Sequence, residues 1–544
     1  MSITYFTENK SSNWILALAS AILFTPPWYE WGHGLFLFIA FVPLLILENK
    51  YNNAKRPQAK VYLWVFFSFA VWNTLTTFWI KNASFVGLLA AITITTFLMS
   101  YAFYFYHIAK LYLGQKAGYA SLIIFWIMME FIYMHGEISW PWLTLGHGFA
   151  YNVKFIQWYE YTGVFGGSLW VLLVNLSIFI LIKEYLLKKS FQGLRINVIL
   201  LGMLIILPIS ISLIIFSTYK ENDKPIDVVV VQPNVDPYLK FNDIAPAEQA
   251  EIQLNEALKL SDENVDFVAA PETSLLGNFW VGSFESVIDL KIIRQYVNKY
   301  PQASFITGIR CYERYNSIEE ASGTAEPYGN TGMYYDSYNS AILVDTSADV
   351  QLYHKSQLVT GVEKMPYREY LGFIKKLTLQ LGGTMRSHGM QEEREVFISK
   401  KDSVKIAPVI CWESVFGEYV NDYIKKGAQV IFVITNDGWW GDTPGHRQHN
   451  SLSSIRAIQT RRSIARSANT GISSFVNQKG EMEQTLTWWK RGALRQEINL
   501  NDKITFYVKH GDYIGRSAFW LGIMVLLLTV VQKIKNKSSV AKLS

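Results

Sequence analysis

Hydrophobic residues are arranged in two different patterns along this chain. Up to residue 217, and again after residue 516, they form long and nearly uninterrupted runs, several of them close to the ~20 residues that cross a bilayer as a helix. The runs lie near residues 13–28, 32–47, 61–80, 85–109, 119–135, 165–187, 196–217 and 517–533. This pattern predicts an α-helical membrane bundle of eight spans, seven before residue 218 and one at the C-terminus.

Residues 225–512 show the second pattern, in which short apolar runs of strand length alternate with stretches of helical periodicity. We expect strands at 226–234, 265–273, 304–310, 338–345, 404–413, 428–437 and within 471–480, and helices at 245–260 and near 446–467. Fully apolar strands that alternate with helices are typical of an α/β domain whose sheet is covered. The chain is thus predicted to contain helices in 1–217, one α/β domain in 218–516, and a last helix with a tail in 517–544.

Basic residues predict how the helices cross the membrane. They cluster at the N-terminus, in every second short loop and in the C-terminal tail, whereas the other short loops hold only Lys81 and Lys154. Basic loops stay on the cytoplasmic side, so both termini are expected there and the α/β domain on the outer side. The clustered residues are Lys10, Lys50, Lys55, Arg56, Lys60, Lys110, Lys116, Lys183, Lys188, Lys189, Arg195, Lys533, Lys535, Lys537 and Lys542.

Composition supports a membrane protein and argues against several other classes. Hydrophobic residues make up 50% of the chain, charged residues only 17%, and the mean hydropathy is +0.13. Cys311 and Cys411 are too few for a disulfide framework. We find no glycine-rich phosphate loop, no basic stripe for nucleic acid and no metal-ligand spacing, and therefore predict no cofactor, no metal and no nucleic-acid partner.

The stretch APVICWESVFGE contains the first candidate for chemistry. An apolar strand ends abruptly at Cys411, which would hold the thiol rigidly at the rim of a cleft. A cysteine is nucleophilic only as a thiolate and needs a base or a cationic neighbour. The alternative is a buried structural cysteine, a common fate of this residue type.

Glu272 and Lys355 supply what such a thiol would need. Each follows a predicted strand of the same α/β domain, as Cys411 does. A carboxylate can take the thiol proton, and an ammonium can stabilise the negative charge that develops on a carbonyl oxygen. Alone, either residue is more simply read as a strand-end cap or a solvated charge, so their joint occurrence carries the hypothesis.

The sequences around these residues, APETS, YHKSQLV and VICWES, resemble the carbon–nitrogen hydrolase, or nitrilase, superfamily. Combined with the predicted spans, the chain resembles the apolipoprotein N-acyltransferase family; WPWLTLGH (140–147), VVQPNVDP (230–237) and TNDGWWGDTPGHRQH (435–449) also match it. The resemblance implies an α-β-β-α sandwich for the α/β domain. It also implies that Glu272 is the general base, Lys355 the oxyanion-stabilising lysine and Cys411 the nucleophile.

Further residues are assigned by the same resemblance. Glu363 falls on the family's second essential glutamate, although the run TGVEKMP around it departs from the family pattern and leaves Glu369 as an alternative. Glu413 falls on a supporting carboxylate, and Trp412 occupies a position at which the family carries an aromatic residue.

Asn436 and Trp440, in TNDGWW, are candidate supporting or substrate-binding residues. Trp439 and Trp440 are candidate lining of a lipid-accessible cleft, with simple interfacial anchoring as the alternative for this tryptophan pair. Residues 312–337 are interpreted as a polar inserted loop of unknown purpose.

The resemblance implies an acyltransferase of the bacterial inner membrane whose catalytic domain is periplasmic. A phospholipid would donate an acyl chain to a cysteine thioester, and the N-terminal amine of a diacylated apolipoprotein would accept it in a ping-pong reaction. We expect a monomer. A membrane-tethered amidase or nitrilase, and a transporter or scaffold with a ligand-binding outer domain, are the alternative functions.

Overall fold

The computed structural model describes residues 12–51, 57–188, 193–241, 243–364, 367 and 387–541. The chain divides into two compact units. The first comprises Met1–Phe78, Leu88–Thr218 and Asp512–Ser544, and the second comprises Trp79–Gly87 and Tyr219–Gly511.

The first unit is helical. Its α-helices within the described residues are α1 Asn13–Phe24, α2 Leu37–Ala40, α3 Val42–Asn49, α4 Pro57–Thr77, α5 Phe85–Leu113, α6 Gln115–His135, α7 Tyr159–Lys188, α8 Arg195–Thr218 and the C-terminal helix Tyr513–Ala541. Leu88 onward in α5 belongs to this unit, while the first residues of that helix are grouped with the second.

Six helical stretches among the described residues are long and apolar enough to cross a membrane. They are Ala59–Asn82, Phe85–Leu113, Gln115–His135, Tyr159–Lys188, Arg195–Thr218 and Tyr513–Ser538. Arg195–Thr218 buries only 6% of its apolar window within the protein, as expected of a helix surrounded by lipid. The expectation of a protein with membrane helices is confirmed.

The first two predicted spans form shorter helices than the other six. The first ends as a helix at Phe24, because a 3-10 turn, Pro26–Trp28, follows it. The second corresponds to the apolar stretch Gly34–Asn49, which is broken into a 3-10 turn and two helices. The total of eight spans therefore stays a prediction.

Among its described residues, the second unit contains fourteen strands in two sheets and five α-helices. The strands are β1 Pro225–Gln232, β2 Phe267–Ala269, β3 Leu275–Trp280, β4 Ser304–Tyr315, β5 Glu326–Pro327, β6 Tyr334–Val344, β7 Gln351–His354, β8 Phe397–Ile398, β9 Lys405–Ile410, β10 Val430–Thr435, β11 Ile464–Ala468, β12 Ser473–Val476, β13 Met482–Leu486 and β14 Gly492–Asn499. The helices are α9 Pro246–Leu260, α10 Ile288–Lys299, α11 Gly417–Lys425, α12 Pro444–Thr460 and α13 Phe506–His510.

The first sheet has the order β14-β1-β2-β4-β6-β5, with β3 paired to β4 and β7 paired to β6. Its centre is parallel, since β1 pairs with β2 and β2 with β4 in that sense. The second sheet has the order β13-β12-β11-β10-β9-β8, and its centre, β9 to β11, is also parallel. The carboxyl ends of parallel neighbours lie at one edge of a sheet, which is where ligands commonly bind in α/β proteins.

The two sheets face each other, and helices cover their outer faces. Between the sheets, the Ser467 hydroxyl donates to the Val231 carbonyl at 2.7 Å, and the rings of Phe267 and Phe432 are 5.6 Å apart. Helices α9 and α10 share a buried apolar core with β1, β2 and β4, while α11 and α12 pack with the second sheet. The result is the α-β-β-α sandwich that the resemblance implied.

Several predicted elements differ from the observed ones. Strand β2 ends at Ala269, so the second predicted strand is shorter than 265–273. The inserted segment is not wholly a loop, because β4 extends to Tyr315 and β6 begins at Tyr334, so its ends pair as an antiparallel ribbon. Helix α12 ends at Thr460, because Arg461 adopts a left-handed conformation (φ +51°) that stops the helix.

Candidate active site

Cys411 directly follows β9, a strand that is buried from Ile406 onward. It opens a 3-10 turn, Cys411–Val415, and its own φ is +49°. A positive φ is strained for a residue with a side chain, and such strain tends to occur at functional sites. The residue is 8% exposed, so the thiol is held inside the domain.

Glu272 lies three residues beyond β2, in a turn that brings its carboxylate over the other candidate residues. Its Oε1 accepts hydrogen bonds from Lys355 Nζ at 3.0 Å and Asn339 Nδ2 at 2.7 Å. Its Oε2 accepts from the backbone N–H of Asn436 at 3.0 Å. The residue after it, Thr273, has φ +46°, so this turn is also strained.

Lys355 immediately follows β7 and joins two carboxylates. Its ammonium lies 3.0 Å from Glu272 Oε1 and 2.9 Å from Glu363 Oε1, and the residue is only 1% exposed. Burial alone would lower the pKa of Lys355, but the two carboxylates raise it well above its ordinary value. The lysine is therefore a firmly charged cation.

Glu363, which the resemblance assigns to the site, lies beside Lys355. Its Oε1 also accepts from Asn339 Nδ2 at 2.9 Å, and its Oε2 accepts from the backbone N–H of Val359 at 2.8 Å. Burial would raise the pKa of Glu363, but Lys355 outweighs it and the pKa is lowered. The alternative residue, Glu369, lies outside the described residues.

Burial keeps the thiol of Cys411, the candidate nucleophile, protonated before it reacts. It raises the pKa of the Cys411 thiol well above its ordinary value of 9.0, and the negative charge of Glu272 adds to that rise. Lys355 and the hydroxyl of Thr435 act in the opposite direction without overcoming it. The thiol is therefore protonated at neutral pH and depends on a base to react.

Glu413 belongs to the same 3-10 turn, Cys411–Val415, and its carboxylate binds groups other than Glu272, Lys355 and Glu363. Its carboxylate accepts backbone N–H bonds from Ser356 at 2.8 Å and from Ile410 at 2.8 Å. Because these residues adjoin Lys355 and Cys411, one buried carboxylate fixes the ends of both strands. Three hydroxyls complete its shell, from Tyr353, Tyr419 and Tyr423.

The remaining predicted residues occupy different positions around the site. Trp412 is 2% exposed and packs edge-on against Phe416, so its ring is enclosed in the domain. Asn436 contacts Glu272 through its backbone, as described above. Trp440 is half-buried, and its ring lies 4.9 Å from that of Trp79 and 5.4 Å from that of His449.

A second buried polar cluster lies near the thiol. Asp437 Oδ1 accepts from the Thr435 hydroxyl at 2.8 Å and contacts His449 Nδ1 at 2.9 Å, and Oδ2 accepts from Arg466 at 2.7 Å. Ligand atoms of Cys411, Asp437 and His449 lie within 4.8 Å of one another, a set that could hold a metal ion. The carboxylate and imidazole are, however, already bonded to each other and to Arg466, so we assign them a hydrogen-bonding role.

Two polar residues that sequence reasoning missed also belong to the site. Asn339 in β6 donates to both Glu272 and Glu363, the two carboxylates that also bind the Lys355 ammonium. Lys240 is 1% exposed and donates to the Glu272 carbonyl at 3.2 Å and to the Thr273 hydroxyl at 3.1 Å. Burial lowers the pKa of Lys240 to about 7. The sequence offers no local signal that singles out Asn339, because β6 also contains Asp336, Ser337 and Ser340, and Lys240 had none either.

The chain is similar to several known proteins. Residues 227–505 match the carbon–nitrogen hydrolase family, and residues 20–177 match the apolipoprotein N-acyltransferase N-terminal domain. The apolipoprotein N-acyltransferase of Chlorobaculum tepidum is 27% identical over 506 residues, 91% of this chain and 92% of the relative. That of Geobacter metallireducens is 25% identical over 92% of both chains. Among solved structures, an amidase from Nesterenkonia sp. covers 54% of this chain and 95% of its own, with a TM-score of 0.36 and 14% identity.

The chain therefore belongs to the carbon–nitrogen hydrolase family. Its N-terminal match and its relatives over nine-tenths of its length place it, within that family, among the apolipoprotein N-acyltransferases. The resemblance inferred from the motifs is thereby confirmed, and so is the expectation of an enzyme of the acyltransferase class.

Proposed function

We propose that this enzyme transfers an acyl chain from a membrane phospholipid, through a thioester on Cys411, to the N-terminal amine of diacylglyceryl-cysteine in apolipoproteins. The observation that carries the proposal is the Lys355 ammonium, which is bonded to Glu272 and Glu363 and interacts electrostatically with the Cys411 thiol. A base, an oxyanion donor and a nucleophile are the three parts that acyl transfer requires.

The first half-reaction acylates the enzyme. Glu272 takes the proton of the Cys411 thiol, and the sulfur attacks the sn-1 ester carbonyl of the phospholipid. Lys355 Nζ and the backbone N–H of Trp412 stabilise the oxyanion. The C–O bond then breaks, and the leaving lysophospholipid oxygen takes the proton from Glu272. A thioester remains on Cys411.

The second half-reaction transfers the chain. The neutral α-amine of the acceptor attacks the thioester carbonyl, the same two donors stabilise the oxyanion, and Glu272 takes a proton from the nitrogen. The C–S bond breaks and the proton passes to the sulfur, which restores the thiol. Because lysophospholipid leaves before the amine reacts, the kinetics are ping-pong.

The membrane helices suit lipid substrates. Extracting an acyl chain of 16 carbons into water costs more than about 10 kcal/mol at ~0.8 kcal/mol per methylene, so a site held at the bilayer avoids that cost. Trp79, which packs beside Trp440, lies in a stretch that is apolar enough to span the membrane. Eight spans, cytoplasmic termini and a monomeric enzyme with a periplasmic catalytic domain in the bacterial inner membrane complete the proposal.

The proposal is tested by trapping the acyl-enzyme. The purified full chain is incubated with a phospholipid that carries a labelled sn-1 chain, without acceptor. We expect label on the protein that hydroxylamine removes, as it does from a thioester, and that a diacylated lipopeptide takes up. Cys411→Ala should carry none, whereas Cys311→Ala, which removes the other free cysteine, should still be labelled. Label on Cys411→Ala would refute the nucleophile, and release of free fatty acid with no amide product would indicate a hydrolase.

A further inference from the structure

The carbonyl of Cys411 is fixed by a chain of buried hydrogen bonds that the proposed mechanism does not use. The Ser414 hydroxyl donates to the Cys411 carbonyl oxygen at 2.7 Å. Ser414 Oγ also lies 3.1 Å from His449 Nε2, and the ring interacts with the Cys411 carbonyl as well. Ser414 is 1% exposed and His449 is fully buried.

The hydrogens of this chain can be assigned from the contacts. A carbonyl oxygen only accepts, so the single hydroxyl hydrogen of Ser414 points to Cys411, and Ser414 Oγ accepts from His449. His449 Nε2 therefore carries a hydrogen. Its other nitrogen, Nδ1, contacts Asp437 at 2.9 Å and Arg466 Nη2 at 3.0 Å, one an acceptor and the other a donor. The ring is thus anchored whether it is neutral or charged.

The peptide bond links this chain to the oxyanion site. A trans peptide is planar, so the carbonyl of Cys411 and the N–H of Trp412 lie in one plane and point in opposite directions. Fixing the carbonyl on the Ser414 side therefore fixes the direction of the N–H on the other side. Cys411 has φ +49°, a conformation that needs such support.

Building on the proposed function, we propose that Ser414 and His449, backed by Asp437 and Arg466, are positioning residues that aim the Trp412 N–H at the oxyanion. They touch neither substrate nor sulfur in this role. Oxyanion donors act through preorganisation, so a peptide free to rotate would lose transition-state stabilisation without losing substrate affinity.

The test compares two reactions of the same thiol. Acylation by p-nitrophenyl palmitate passes through an oxyanion, whereas alkylation by iodoacetamide does not. In the purified full chain, Ser414→Ala and His449→Gln should each slow acylation about 10–100-fold, somewhat less than outright removal of a donor. KM for the ester and the alkylation rate of Cys411, followed by mass spectrometry, should stay within about twofold of wild type.

Two further measurements sharpen the comparison. Because both residues act along one chain, the double variant should be scarcely slower than the slower single variant. His446→Gln is the matched control, since His446 lies on the same helix but stacks on Trp488 at 4.5 Å, and it should acylate normally.

Two results would overturn the inference. Parallel losses of acylation and alkylation would mean that Ser414 and His449 merely hold the fold, and unchanged acylation would mean that they have no role. A wild-type chain that no acyl donor labels would instead refute the proposed function.

Discussion

Gly308 in β4 gives a direct test of how tightly the Glu272 turn is held. A Cβ at this position would lie 2.4 Å from the backbone nitrogen of Thr273 and 2.6 Å from Cα of Glu272. Both atoms are main chain, so no side-chain rotation can relieve the overlap. The Gly308→Ala substitution must therefore displace the turn, the strand or both.

The size of the effect follows from these distances. Ordinary van der Waals contact begins at 3.4 Å, so the turn has to retreat by about 1 Å. The strand cannot yield freely, because Gly308 N donates to Pro271 at 3.0 Å and Gly308 O accepts from Ser274 at 2.9 Å. A displacement of 1 Å at a reacting group can cost about 100-fold in rate, and overpacking costs about 1–3 kcal/mol of stability.

Single-turnover acylation by labelled phospholipid measures the rate, and thermal unfolding in the same detergent measures the stability. We expect Gly308→Ala to fold, to unfold at a lower temperature and to acylate about 100-fold more slowly. Iodoacetamide should still alkylate Cys411, because the turn Cys411–Val415 follows β9, which belongs to the other sheet.

Gly323→Ala is the matched control, since a Cβ there meets nothing within 4 Å, and it should behave like wild type. If Gly308→Ala acylated at the wild-type rate, the position of Glu272 would not limit the reaction and its assignment as the base would be refuted.

Three other perturbations have defined outcomes. Lys355→Met should slow acylation about 10²–10³-fold by removing an oxyanion donor, and calorimetry should show about 3–5 kcal/mol lost because two carboxylates become unpaired. Glu413→Gln should lower stability by about 1–3 kcal/mol and slow acylation, because its amide cannot accept from both backbone N–H groups; a variant as stable as wild type would contradict this. Alkylation of Cys411 should keep accelerating above pH 9.0, and Glu272→Gln should move that profile to lower pH, because the carboxylate raises the pKa of the thiol; an unmoved profile would place the two groups too far apart.

The positions of the candidate residues were predictable because strand ends are visible in a sequence. Apolar runs stop where the chain leaves a buried sheet, and Lys355 and Cys411 follow β7 and β9 without a gap. Glu272 was predicted to close a strand, but β2 ends three residues earlier, and Glu272 lies in the turn that follows it. Periodicity and the chemistry of the residue types made these three residues candidates, and the family resemblance supplied their roles.

Contacts between distant elements were not predictable in the same way. Asn339 bridges two carboxylates because β6 lies beside β4 and β7, a fact that no local pattern encodes. The carboxylate of Glu413 is saturated by tyrosines from β7 and α11, which identifies it as an anchor of the two strand ends. From the sequence, its role rested on the resemblance alone.

Two predicted element boundaries differ from the observed ones for local physical reasons. The end of α12 depends on a left-handed arginine, and a sequence pattern signals that conformation only when glycine provides it. The inserted segment contains turn-forming residues, yet its tyrosines continue β4 and β6 as a paired ribbon. Aromatic residues favour strands through cross-strand contacts, and those contacts exist only once the partner strand is in place.

The electrostatics of the site imply an order of events in the proposed reaction. A thiol whose pKa is raised cannot accumulate as thiolate, so proton transfer to Glu272 has to accompany attack on the ester. Lys355 cannot serve as that base, because its two carboxylates keep it protonated. The ammonium is instead shared between Glu272 and Glu363, and protonation of Glu272 weakens one of those ion pairs just as the oxyanion forms. The lysine thus gains a new anionic partner at the moment it loses an old one, which ties stabilisation of the transition state to the proton transfer that creates it.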